Sequence, residues 1–351
     1  MAKSLSRLQN PMPAASVRFR PGGWLRTDAM RLLPAHVDRD HPINTGRYAI
    51  FTPAVDAFAA KLGDWIDSKI TGAYIYGPSR FGKTRAIRWH LKKLLEERFG
   101  GPVPLHVWSR PFAQKSPSEL YMSILDGFHH GYGGNKAGAN QRLTILVEYL
   151  AAASDACNTK SVYFIVDEAH GITTSEWGWF LGLQNRLDTE GYSLSLFSVA
   201  SHQMAYEFDL LSRTGEPHVA ARFLVDHWNF PGIQSVEELE FILAGYDEDS
   251  RWPVQGGVSY LAHFAPTQFA RGRRLASSAA VLWDCLVALL PEGRNIRWNF
   301  PMRHVANAVE EVLVELAFDA DWDEATSASN WVSALTKLRF SDHMRAISVN
   351  L

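Results

Sequence analysis

Cysteine is scarce in this chain. Cys157 and Cys285 are the two among 351 residues, far apart and without metal-ligand spacing. A disulfide framework is thereby excluded, and a reducing compartment is expected. Long apolar runs are missing too: none approaches the ~20 residues that cross a bilayer. The opening MAKSLSRLQNPMPAAS has no apolar stretch of the kind a secretory signal carries. A cytoplasmic protein with no membrane partner is expected. No charge sign dominates, because the net charge is −2, which excludes a generally basic protein. Internal repeats and low-complexity tracts are also absent. What remains is ordinary globular material. Hydrophobic residues make up 46%, enough for a sizeable core in one large or two smaller domains.

The charge is nevertheless uneven. Residues 1–47 hold eight Lys and Arg against three Asp, a net +5. Such an arm meets nucleic acid or an acidic partner, or packs as a solvated extension on the core.

The stretch Ala73–Leu95 reads as a strand, a glycine-bearing loop and an amphipathic helix. Tyr74, Ile75 and Tyr76 precede the loop; Ile87, Leu91, Leu94 and Leu95 repeat at helical spacing after it. The loop itself, Gly77, Pro78, Ser79, Arg80, Phe81, Gly82, Lys83 and Thr84, fits the phosphate-binding pattern G-x-x-x-x-G-K-[ST]. Gly77 and Gly82 are expected to take conformations closed to other residues and bring backbone N–H groups to phosphate oxygens. The helix N-terminus, from Lys83 through Arg85, adds partial positive charge there. Lys83 reaches the β- and γ-phosphates in this reading, and Thr84 offers a hydroxyl to Mg²⁺.

A second motif follows. SVYFIVDEAH, Ser161–His170, runs five apolar residues into Asp167 and Glu168. A continuous apolar run suits a parallel strand buried on both faces. Acids at its carboxyl end sit where open α/β sheets bind ligands. Asp167 is the expected Mg²⁺ holder, and Glu168 orients and polarises the attacking water. ATP and Mg²⁺ are the expected cofactors.

Around these motifs the pattern predicts helices at 53–70, 116–128, 141–153 and 176–190. Further strands are predicted at Val103–Trp108, Ser193–Ala200 and Leu224–Trp228, and a short helix near Asp28–Leu33. His129-His130 lie in the glycine-rich loop HHGYGGNKAGAN and have no matching ligand set, so they read as loop. After Ser235 only helices are expected. That separates an α/β nucleotide domain from a helical one. It also disfavours a DEAH helicase, which needs a second strand-bearing domain.

The whole arrangement resembles the AAA+ ATPases, and within them the TnsC/TniB regulators of DNA transposition, over residues 45–315. The resemblance is carried by RYAIFTP at Arg47–Pro53, YGPSRFGKT, FIVDEAH, FLGLQNRLDTEGYSL leading into FSVASHQM, ARFLVDHWNFPGI and the helical tail. It implies an α/β fold, an AAA+ P-loop core with a parallel five-stranded sheet flanked by helices, followed by an all-helical lid. The implied boundaries are a basic extension at 1–45, the nucleotide domain at 46–232, the lid at 233–318, and a helix and tail at 319–351 for partner docking. Ser201, with Gln203 as alternative, matches the γ-phosphate sensor. Arg222, with Arg213 as alternative, matches the arginine that enters a neighbour's site. Arg274, or Arg273, matches a lid arginine acting in cis. Tyr48 and Ile50 line the adenine pocket or merely pack.

Arg110, Lys115, Lys136 and Arg142 fall where this group places DNA-facing loops. The implied partners are duplex DNA bound through its phosphates, further copies in a ring or filament, a transposase and a target-selection protein. A signalling NTPase acting on a protein partner is the alternative.

Overall fold

A computed structural model describes residues 33–130, 137–204, 206, 217–224, 226–291 and 299–348. The helix expected near Asp28, the arm before residue 33, Lys136 and Arg213 lie outside them.

After a single helical turn at Pro42–Thr45, the first long helix, α1 (Pro53–Asp67), starts where Thr52 accepts the Val55 N–H and Pro53 fills the first turn. Strand β1 (Gly72–Tyr76) follows, then α2, formed by Lys83–Ala86, a π-helical turn Ile87–Leu91 and Lys92–Phe99. Next come β2 (Leu105–Ser109), α3 (Pro117–Gly127) and α4 (Ala139–Ala156). Strand β3 (Ser161–Asp167), α5 (Thr174–Thr189), β4 (Ser193–Ala200), α6 (Pro217–Phe223) and β5 (Asp226–Asn229) complete the α/β part.

The sheet is parallel in the order β2-β3-β4-β1-β5. The central strands β1, β3 and β4 are mostly buried on both faces, whereas the edge strand β5 exposes His227 and Asn229, and alternation sorts the buried side chains. Val162, Phe164 and Val166 of β3 pack with α3, α4 and α5, while Ile165 joins Ala73, Ile75, Phe197, α1 and α2 on the other face. Register then fixes the functional edge. Asp167 pairs with Val199, and Tyr76 with Ala200. Gly77, Glu168 and Ser201, each following one of these strands, therefore emerge along one rim.

Beyond Ile233 lie α7 (Val236–Ala244), a hairpin of β6 (Arg251–Trp252) and β7 (Val258–Ser259), α8 (Ala279–Ala288), α9 (Met302–Ala317), α10 (Ala328–Lys337) and α11 (Phe340–Ser348). The hairpin departs from the all-helical expectation, but two two-residue strands do not make a second strand-bearing domain. This layer has its own core. Val37 and Ile43 join it from before residue 46, and Trp322, Trp331 and Phe340 join it from beyond residue 319. Both flanks expected as extension and tail thus belong to the helical body over their described parts. No described helix is long and apolar enough to cross a membrane.

Candidate functional site

The rim formed by the strand ends opens into a cleft of about 1190 Å³, lined by Pro78–Arg85, Asp167, Glu168, Ser201, Gly46–Ile50 and the first turns of α9. The loop builds its floor. Gly82 has φ +109° and Arg80 φ +69°, so the backbone enters the left-handed region twice, once with a side chain in place. Gly77 is required for a different reason from the one expected. A Cβ there would come within 2.9 Å of the Phe230 carbonyl oxygen, so close approach to the segment after β5 excludes any larger residue.

Lys83 Nζ donates to the carbonyl oxygens of Gly77 at 2.7 Å and Pro78 at 2.8 Å. Burial pushes its pKa down to about 8, against the opposing pull of Glu168 and Asp167. Asp167 is 2% exposed. Burial raises its pKa, Thr84 offsets part of that rise, and the Glu168 charge adds to it. Its Oδ1 accepts the Glu168 N–H, while Oδ2 has no hydrogen-bond partner. A buried carboxylate with a bare oxygen beside a hydroxyl fits a hard divalent cation. Among the described residues, no group of three or more His, Cys, Asp or Glu is placed to hold a metal by itself. The cation's remaining ligands would have to be hydroxyl, water and phosphate.

Glu168 projects into the cleft from a left-handed backbone, φ +61°, with its side chain half exposed and His170 Nδ1 3.4 Å from Oε2. Ser201 Oγ is buried and lacks a partner. Gln203, the alternative, lines the same cleft.

Several expected residues are committed to other protein groups. Arg85 turns back to the carbonyls of Tyr48 and Gly46 and lies over the Tyr48 ring, so it fastens the 46–48 segment. The Tyr48 hydroxyl is buried against Glu310 at 2.8 Å and Tyr246 at 3.2 Å. Arg274 stacks on Phe269 at 3.9 Å and donates to the Phe269 and Arg273 carbonyls, and Arg273 pairs with Asp323 at 3.1 Å. Neither lines the cleft; Arg303 does, at the start of α9, where its N–H donates to the Arg80 carbonyl. Residues 303, 306, 307 and 310 share one face of this amphipathic helix, but nothing in that spacing says the face meets the cleft.

Two of the residues expected to meet DNA are also committed internally. Arg110 forms a buried two-bonded pair with Glu176, and Arg142 is buried with Nη1 on Ser118 O and Oγ. Burial in the core outcompeted the surface role that the sequence pattern assigned them. Lys115 is exposed. Arg222 is exposed at the far end of the sheet. Its carbonyl accepts from Thr71 beside the start of β1, and its Nη1 donates to Asn185.

Comparison with known proteins matches this geometry. Residues 70–203 match the family of AAA domains. This segment is similar to AAA domains, which are ATPase modules. Among curated proteins, none matches the sequence. Among solved structures, the chain is similar to the Orc1 protein of Aeropyrum pernix in complex with DNA. Identity is 14%, the TM-score is 0.50, and 87% of this chain and 71% of that one are covered. It is also similar to Cdc6p of Pyrobaculum aerophilum, with 14% identity, TM-score 0.43 and coverage of 72% and 66%. A third is the ADP form of Aeropyrum pernix ORC2, with 16% identity, TM-score 0.40 and coverage of 81% and 84%. The matched segment supplies the loop, the acidic pair and Ser201, and the helical layer supplies Arg303. The fold is the AAA+ P-loop fold with a helical lid.

Proposed function

We propose that this ATPase is a switch of DNA transposition. It assembles on duplex DNA, links a target-selecting protein to a transposase, and is reset by ATP hydrolysis. One observation carries the assembly part of this reading. The cleft gathers Lys83, Thr84, Asp167, Glu168, Ser201 and Arg303, whereas Arg222 sits at the opposite end of a five-residue strand, roughly 15 Å away at ~3.3 Å per residue. An arginine placed there serves a phosphate only across a subunit boundary.

Within the cleft the roles follow from chemistry. Lys83 and the loop N–H groups bind the β- and γ-phosphates. Thr84 and Asp167 would hold Mg²⁺, which when bound neutralises phosphate charge. Glu168 orients and polarises water, Ser201 senses the γ-phosphate, and Arg303 brings the lid onto it. Guanidinium groups suit both arginine positions because they stay charged and bond phosphate oxygens two at a time.

DNA is the proposed partner of Lys115, Lys136 and the basic arm. The fold is shared with a protein solved in complex with DNA, which makes duplex DNA the first ligand to test. A protein partner is the second reading, favoured by Phe112, which is 66% exposed in the loop that also carries Lys115. Negative-stain imaging with duplex DNA and a slowly hydrolysed ATP analogue separates them. Rings or helices that require both ligands are expected. Absence of ATP-dependent duplex binding, even at low salt, replaces the DNA reading with the protein-partner one.

A further inference from the structure

The turn that carries Glu168 is held by a pair of residues that never reach the cleft. It runs from Asp167 to Thr173, with Glu168 in the left-handed region, a conformation that persists only where surrounding structure imposes it. The Asp167 carbonyl accepts the Arg110 N–H at 3.0 Å. In the middle of the turn, a Cβ on Gly171 would lie 2.7 Å from Arg110 Nη1, so the guanidinium packs flush against that glycine. At its end, Glu176 accepts the Thr173 N–H at 2.8 Å and the Thr173 hydroxyl at 2.9 Å. Arg110 closes the frame, with Nε on Oε1 at 3.2 Å and Nη2 on Oε2 at 2.9 Å. The Glu176 side chain is fully buried and that of Arg110 is 8% exposed. The same carboxylate also holds the Gln114 N–H at 3.0 Å, tying down the loop that exposes Phe112 and Lys115.

We infer that Arg110 and Glu176 are positioning residues for Glu168: through the Asp167–Thr173 turn they set where its carboxylate stands over the cleft. A buried pair replaced by apolar groups of similar size is often neutral for stability. Five hydrogen bonds converging on one carboxylate that ends the catalytic turn therefore point to geometry as its use. The inference rests on Glu168 acting on water as proposed above.

The experiment is a cycle on the full chain between Arg110→Met/Glu176→Leu and Glu168→Gln. It reads steady-state ATPase, affinity for a fluorescent ATP analogue, and Tm. In the parental background the double substitution should lower kcat by about tenfold to a hundredfold, as small misplacements of a reacting group do. Analogue affinity should stay within about twofold, since the phosphate loop is untouched. In the Glu168→Gln background it should change residual turnover by less than about twofold, because there is no carboxylate left to position. Parental kcat in the folded double variant, with Glu168→Gln inactive, overturns this inference alone. Parental turnover in Glu168→Gln itself overturns the role of Glu168 instead. If the double variant does not fold, Arg110→Lys decides in the same terms. It keeps the charge and loses the two-bonded geometry, so unchanged kcat there counts against the inference.

Discussion

At the scale of single residues, Lys83 carries the most readable chemistry. Its ammonium rests on two loop carbonyls and is shielded from water, which brings its pKa down to about 8. In the proposed function the triphosphate is bound by the protonated form. Below about pH 8 that form is already present and affinity is full; above it a proton must be taken up with the nucleotide. Affinity should therefore fall by up to about tenfold per pH unit above 8. Titration of a fluorescent ATP analogue between pH 7 and 9.5 checks this. Lys83→Arg, which stays charged throughout, should flatten the curve. A parental curve already flat to pH 9.5 would show that the side chain keeps its proton in the empty cleft. Asp167 has the opposite character: burial raises its pKa and leaves one oxygen bare, an arrangement that invites a cation.

At the scale of elements, α11 changes the meaning of the C-terminal segment. Phe340, Met344 and Ile347 stand at i, i+4 and i+7 on one helical face. The first two are buried in the lid core, and Ile347 packs against both the lid core and the α1/α2 face of the sheet while lining the cleft. His343 Nδ1 lies 3.0 Å from His304 Nε2, next to Arg303. Through Ile347 this helix forms part of the wall of the cleft. Phe340→Ala should cost about 3–5 kcal/mol, the range for truncating a buried phenylalanine, and should weaken nucleotide binding together with stability. Urea denaturation and analogue titration measure the two. Full stability in Phe340→Ala would mean that α11 is not held as described.

At the scale of the whole molecule, the separation of Arg222 from its own cleft makes assembly the natural test. Arg222→Ala should leave nucleotide binding nearly intact while suppressing ATPase and oligomer formation together. Mixed with Glu168→Gln, it should recover part of the activity, because some interfaces then contain both good halves. No recovery at any mixing ratio, with both variants folded, would return attention to Arg213. DNA binding belongs to this scale as well. Contacts to phosphates through Lys115, Lys136 and the arm should give an affinity that falls steeply with salt. Each contact removed, as in Lys115→Ala, should lower the log–log slope by about one, equally for all sequences. A slope unchanged by Lys115→Ala places that side chain off the DNA.

By itself the sequence determined the local chemistry. The loop Gly77–Thr84, the apolar run into Asp167 and Glu168, the Ser193–Ala200 strand and most helix starts were legible because each depends on neighbours a few residues apart. The capping hydroxyl of Ser116, for example, and the Glu119 N–H it receives are three residues apart. The tertiary structure alone decided where long side chains end. Arg110 and Arg142 look like surface cations in sequence but are buried, since their partners Glu176 and Ser118 are 66 and 24 residues away. Arg274 sits in a basic cluster yet is spent on Phe269, while Arg303, with no motif around it, faces the cleft. Gly77 shows the same division at one position: the pattern identifies the glycine, but the reason for it is a carbonyl at Phe230. An arginine side chain spans several ångströms and bonds whatever the packed fold brings near it, and no spacing along the chain records that.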